Sequence, residues 1–319
     1  MTNDPLERCN GRYSDTLLGP VRGQGPLDDD SGTVLPGIVH RGHQALVKEA
    51  VAGAPAAGTV VVLTFDPHPS RVLSPDRAPS SLMTVDQKAE VLAGLGVDKL
   101  AVLPFTRDLA LKTPEAFADE VLRGALGARL VVVGSNFRFG RGRAGDVACL
   151  SGLGDSLGFE VRGVEPLWHE GAPISSSRIR EALARGAVAA AHALLGRAFF
   201  VDGSVVRGDG RGRTIGVPTA NVATVNEALP RLGVYACRVR TPDGVDRPAV
   251  ANLGRRPTFD GGTTTLEAHL LDFEGDLYGA PVRVAFLERL RDERKFAGPE
   301  ALAAQIGADV ADARRLLRA

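Results

Sequence analysis

At 319 residues the chain is long for one domain and suits two. Its 38 basic residues balance 38 acidic ones, so it lacks the broad basic footprint of a nucleic-acid binder, although a local anion site stays open. No apolar run approaches the ~18 residues of a spanning helix, no basic-then-apolar leader opens the chain, and Cys9, Cys149 and Cys237 form no CxxC pair. The expectation is a cytoplasmic protein with reduced thiols and no structural zinc, and with neither membrane nor nucleic acid among its partners.

Residues 1–32 are polar and turn-rich, ending in Asp28-Asp29-Asp30, and are expected to be poorly ordered. From 33 to 187 strand and helix alternate. Short β-branched runs at 59–65, 99–104 and 130–134 read as buried parallel strands, and 43–52, 85–95 and 114–126 read as helices. Thr113 before Pro114 is a cap followed by proline at the first helical position. This alternation predicts a doubly wound, Rossmann-like α/β domain. After a helical segment at 187–195 the texture changes. Strands are expected at 200–207, 234–240, 247–252, 264–271 and 282–287, with turns at Pro242-Asp243-Gly244 and Gly261-Gly262, then an amphipathic helix at 299–317. Residues 188–319 therefore predict a small antiparallel β-barrel with a C-terminal helix.

Four motifs of the first domain fall at strand ends or helix starts. His40-Arg41-Gly42-His43 puts two imidazoles on one face of a helix N-terminus, where free N–H groups and the positive dipole end favour a triphosphate. Ser175-Ser176-Ser177-Arg178 opens a later helix with hydroxyls and a cation. Thr64-Phe65-Asp66-Pro67-His68-Pro69 and Ser135-Asn136-Phe137-Arg138-Phe139-Gly140 follow strands at the edge where open parallel sheets gather ligands. Each alone is as well explained by an ordinary cap or a surface turn; together they point to a nucleotide site.

In the second domain Gly208-Asp209-Gly210-Arg211-Gly212-Arg213 follows a strand, and its backbone N–H groups suit phosphates. Pro218-Thr219-Ala220-Asn221 comes next, with a hydroxyl and an amide oxygen fit for Mg²⁺. Glu267 lies mid-strand between Leu266 and Ala268 and is expected to point into the barrel, where a carboxylate is costly without a partner or a task. His269 shares its face and reads as structural.

The stretches HRGHQ (40–44), TFDPHP (64–69), VGSNFRFGRGRAGDV (133–147), SSSRIR (175–180) and the Gly-rich loop with Pro-Thr-Ala-Asn resemble the bacterial bifunctional riboflavin kinase/FAD synthetases, over about residues 38–319. The resemblance implies an N-terminal FMN adenylyltransferase domain of the nucleotidyltransferase superfamily and a C-terminal riboflavin kinase domain. Riboflavin, FMN and ATP would be the substrates and Mg²⁺ the metal. It implies that His40 and His43 contact ATP phosphates, that Ser176 and Arg178 hold pyrophosphate, and that Asn136 places nucleotide and flavin. It assigns Gly208, Gly210, Arg211 and Gly212 to the kinase nucleotide, Thr219 and Asn221 to the metal, Glu267 to the general base, and Phe137, Asn252 and Arg291 to the flavin. Where the family carries Gly-x-Phe-Asp-Gly before its histidines, residues 34–38 are Val-Leu-Pro-Gly-Ile, and Pro36 removes a ladder donor. FAD formation is therefore expected to be weak beside FMN formation. Two rivals stand beside this reading: a fully active bifunctional enzyme, and a flavin-binding protein without turnover.

Overall fold

The computed structural model describes residues 38–56, 58–208, 217–256 and 263–318. The expected strand before His40, with Pro36, lies outside these residues except for Ile38 and Val39, both buried. So do Gly210, Arg211 and Gly212. Internal contacts divide the chain between Ser177 and Arg178, earlier than the expected boundary at 187/188. The reason lies in the helices after Ser176: the Leu183 carbonyl accepts from the Arg231 amide, and Gly186 abuts Arg289 and Tyr235, all residues of the second unit.

In the first unit α1 (Arg41–Gly53) precedes β1 (Val61–Asp66), α2 (Pro69–Leu73), α3 (Val85–Ala93) and β2 (Lys99–Pro104). Next come α4 (Pro114–Phe117), continued by a π-helical stretch Ala118–Ala125, then β3 (Leu130–Gly134), α5 (Val147–Leu157) and β4 (Glu160–Val164). A two-stranded hairpin, β5 (Trp168–His169) and β6 (Ala172–Pro173), leads to α6 (Ser176–Ala184), of which all but the first two residues belong to the second unit. β1 pairs in parallel with β2, and β3 in parallel with β4, as a Rossmann-like α/β domain requires. Local chemistry sets the helix starts. Thr113 caps α4 by accepting from the Ala116 amide, and Thr84 with Gln87 forms a reciprocal capping box on α3. Phe65, Phe105, Phe117, Phe137, Phe139 and Leu150 fill the core, each almost wholly removed from water.

In the second unit α7 (Val188–Leu195) precedes β7 (Phe199–Val206), β8 (Ala220–Thr224), β9 (Gly233–Arg240), β10 (Asp246–Arg256), β11 (Thr263–Leu270), β12 (Pro281–Arg291) and α8 (Pro299–Arg318). The strands close an antiparallel barrel in the order β10-β11-β8-β7-β12-β9, which leaves no open edge. Tyr235 lies edge-on to Phe286 at 5.3 Å between centroids, and both are completely buried. Truncating such an aromatic to alanine costs about 3–5 kcal/mol. Outside the barrel, Val310, Ala313 and Leu317 of α8 cover Val234, Ala236 and Val250. Sequence alternation can therefore be read directly: Val234 and Val250 face the helix, while Tyr235 and Ala251 face inward.

Candidate functional site

In the first unit His40 is the N-cap of α1, its Nδ1 accepting from the His43 amide at 3.4 Å. The two buried imidazoles stack, with centroids 3.8 Å apart and planes 18° from parallel. Nδ1 of His43 donates to the Ile38 carbonyl at 3.0 Å. A carbonyl only accepts, so Nδ1 of His43 carries a proton, whereas Nδ1 of His40 does not. In neutral His40 the proton therefore sits on Nε2, as a donor. A Cβ on Gly42 would stand 3.0 Å from Cε1 of His40, so a side chain there would press on the stacked ring. The Nε2–H of His40, together with the first backbone N–H groups of α1, suits a phosphate anion.

Ser176 is the first residue of α6 and is fully buried, yet among the described residues its Oγ has no hydrogen-bond partner. A hydroxyl stranded this way costs about 1–3 kcal/mol. Arg178 is half-buried in the same first turn. Asn136 is exposed, in the turn that closes when the Phe137 amide donates to the Gly134 carbonyl at 2.9 Å. Phe137 itself is only 2% exposed and stacks on Phe139 at 5.4 Å. The structure thus gives this ring a packing role beneath the turn, which replaces the expected flavin contact. The stretch after β1 is locally occupied too: Thr64 accepts from the buried Lys88 ammonium at 2.8 Å, and His68 caps α2.

The second unit brings its candidates together. Across three neighbouring strands Asn252, Glu267 and Asn221 are direct cross-strand partners, and Asn252 is paired on its other side with Val234. Directly opposed residues share a face, and Val234 faces α8. Glu267 therefore stands on the outer face of the barrel, half-buried, while Leu266 and Ala268 point inward. This corrects the expectation that the carboxylate enters the barrel; an outer position spares it full desolvation. Thr219 immediately precedes β8, two residues before Asn221, and is half-buried. Gly208 backs this face, since a Cβ there would collide with the Asn221 amide.

Arg291 is placed differently from expectation. Its Nε and Nη2 bind both oxygens of Asp309 on α8, at 2.7–3.2 Å, and Nη1 donates to the Asp292 carbonyl. The guanidinium is spent on joining barrel to helix, so the flavin assignment gives way to a structural one. Two further residues stand near this face: Glu293, which the sequence reading did not single out, and His269, which it read as structural. Glu293 carries a second carboxylate over Gly254, where a Cβ would collide with its Oε1. His269 donates from Nδ1 to the Pro218 carbonyl at 2.8 Å. Only the strand parity that His269 shares with Glu267 could have drawn attention to it.

Comparison with known proteins agrees with this geometry. The FAD synthetase family model matches residues 37–178, and the riboflavin kinase family model matches residues 195–317. The bifunctional riboflavin kinase/FMN adenylyltransferase of Escherichia coli K12 is 40% identical over 277 residues, covering 86% of this chain and 88% of that protein. Its namesake in Bacillus subtilis is 38% identical over 284 residues, covering 87% and 89%. A crystal structure from Streptococcus pneumoniae described as a macrolide-efflux protein matches with a TM-score of 0.80 at 32% identity, covering 93% of this chain and 95% of that one. Among the described residues no helix is long and apolar enough to cross a membrane. The stacked histidines, the orphaned Ser176 hydroxyl, the Asn252–Glu267–Asn221 row and these likenesses lead to one assignment: the chain belongs to the bifunctional riboflavin kinase/FMN adenylyltransferase family.

Proposed function

We propose that the outer barrel face phosphorylates riboflavin with Glu267 as general base, with Thr219 and Asn221 as Mg²⁺ ligands and residues 208–212 as the cradle for ATP phosphates. The observation that carries this is the row of cross-strand pairs Asn252–Glu267–Asn221, which puts the proposed base, metal ligand and flavin ligand side by side. The donors present are a hydroxyl, an amide oxygen and a carboxylate, the oxygen-only set that a hard cation accepts. Mg²⁺ held there would neutralise charge on the phosphate oxygens.

In the kinase step the riboflavin 5′-hydroxyl oxygen forms a bond to the γ-phosphorus of ATP and its proton passes to a Glu267 oxygen. The bond from that phosphorus to the β–γ bridging oxygen breaks and ADP leaves. That role requires a Glu267 oxygen within hydrogen-bond reach of the hydroxyl, and the ladder on both sides of the residue supports the reading by fixing its backbone. In the second step an FMN phosphate oxygen attacks the α-phosphorus of another ATP, and pyrophosphate departs. His40 and His43 would contact the triphosphate, Ser176 and Arg178 would hold the pyrophosphate, and Asn136 would place nucleotide and flavin. Residues 34–38 depart from Gly-x-Phe-Asp-Gly, so this step is the slower of the two in our reading. The cytoplasm, where riboflavin and ATP meet, is the proposed location. Titrating Mg²⁺ at saturating riboflavin tests the metal assignment. Thr219→Ala raises the Mg²⁺ requirement more than it raises the riboflavin KM, and an unchanged metal dependence would remove Thr219 from that role.

A further inference from the structure

We propose that His269 is the positioning residue of the kinase site, a side-chain brace that fixes where Thr219 presents its hydroxyl. The inference rests on the metal-binding reading of Thr219 given above. The backbone ladder between β8 and β11 runs from Leu266↔Val222 to Ala268↔Ala220. Just before the strand, toward the Gly-rich loop, come Thr219 and Pro218, and Pro218 has no N–H with which to continue the pairing. Its carbonyl is taken instead by Nδ1 of His269 at 2.8 Å. The Pro218–Thr219 peptide is planar, so anchoring that oxygen fixes the plane holding the Thr219 nitrogen and Cα. One strand thus carries both chemical elements of the face: Glu267, and two residues on, the imidazole that holds the metal-binding turn in register with it.

The bond needs a donor at the Nδ1 position and nothing more. Asparagine places its Nδ2–H close to that position, glutamine places its amide nearer that of Nε2, and phenylalanine keeps the ring shape without a donor. The test uses the full chain and the variants His269→Phe, His269→Asn and His269→Gln. It measures FMN formation against Mg²⁺ and against riboflavin, together with thermal unfolding. A misplacement of about 1 Å costs on the order of 10²-fold, so His269→Phe lowers kcat by about that factor and raises the half-saturating Mg²⁺ about tenfold, with the riboflavin KM within about twofold. His269→Asn recovers most of both losses and His269→Gln does not. A His269→Phe protein that melts earlier but keeps its kcat and metal dependence overturns the proposal, and so does His269→Asn no better than His269→Gln. The latter pair decides even where the phenylalanine variant fails to fold. Thr219→Ala measured alongside separates the two layers. If it leaves the metal dependence unmoved, the reading of Thr219 falls and the brace with it; if it shifts that dependence and His269→Phe does not, only the brace falls.

Discussion

The Arg291–Asp309 pair is the sharpest test of how the barrel and its helix divide structure from chemistry. Asp309 has a side chain 5% exposed and Arg291 one 18% exposed, with three N–H···O contacts between them. Removing one partner of a well-buried pair costs about 3–5 kcal/mol. Arg291 keeps some contact with solvent, and Asp309 retains a bond from Gln305 Nε2 at 2.7 Å, so Arg291→Met should cost less, about 2–3 kcal/mol. At roughly 3 °C per kcal/mol for a domain of this size, the unfolding midpoint of the kinase unit drops about 6–9 °C. Because a buried pair replaced by apolar groups is often neutral, Arg291→Met with Asp309→Leu should recover most of that loss. Thermal unfolding and kinase kinetics on the single and double variants provide the readout, with the riboflavin KM of the folded proteins expected to stay near that of the unaltered chain. A riboflavin KM raised more than about tenfold in Arg291→Met, with the midpoint unmoved, would show the guanidinium serving the flavin and refute the structural assignment.

Glu267→Gln keeps shape and polarity and removes the base, so FMN turnover should fall about 10²–10⁴-fold while riboflavin still binds; a near-normal rate would take Glu267 out of the reaction. Ser176→Ala deletes a buried hydroxyl that has no partner among the described residues, so its unfolding midpoint should hold or rise. FAD formation in that variant should fall about 10–100-fold, the worth of one hydrogen bond to a charged group, and an unchanged rate would leave Ser176 without a part in the chemistry. Rebuilding residues 34–38 as Gly-x-Phe-Asp-Gly should raise FAD output several-fold, whereas no gain would mean that those positions do not limit the step.

Much of this was legible in the chain. Runs such as Val61–Asp66 and Leu130–Gly134 are too apolar and too short for anything but buried parallel strands, and they are found within two residues of expectation. The barrel strands follow from period-two alternation between turn residues, although β8 was hidden inside the Pro-Thr-Ala-Asn motif, whose polar residues masked its pattern. Helix α5 and strand β4 also escaped, because the glycines of Val147–Leu157 blur a helical signal and Arg162 and Gly163 interrupt an apolar strand. The direction of Glu267 was not legible. Alternation separates two faces of a strand, but only the docking of α8 on Val234 and Val250 shows which of them is outside. Arg291 misled for the same reason: a cation near a flavin motif looks like a ligand until Asp309, eighteen positions away on α8, is seen to hold it.

The most direct test is the product pattern of the unaltered chain. Purified protein is incubated with riboflavin, ATP and Mg²⁺, and riboflavin, FMN and FAD are separated over time. FMN should accumulate only when both ATP and Mg²⁺ are present, with FAD following more slowly. Absence of FMN from folded protein would contradict a kinase site on the outer face of the barrel, and FAD appearing as fast as FMN would contradict the reading of residues 34–38.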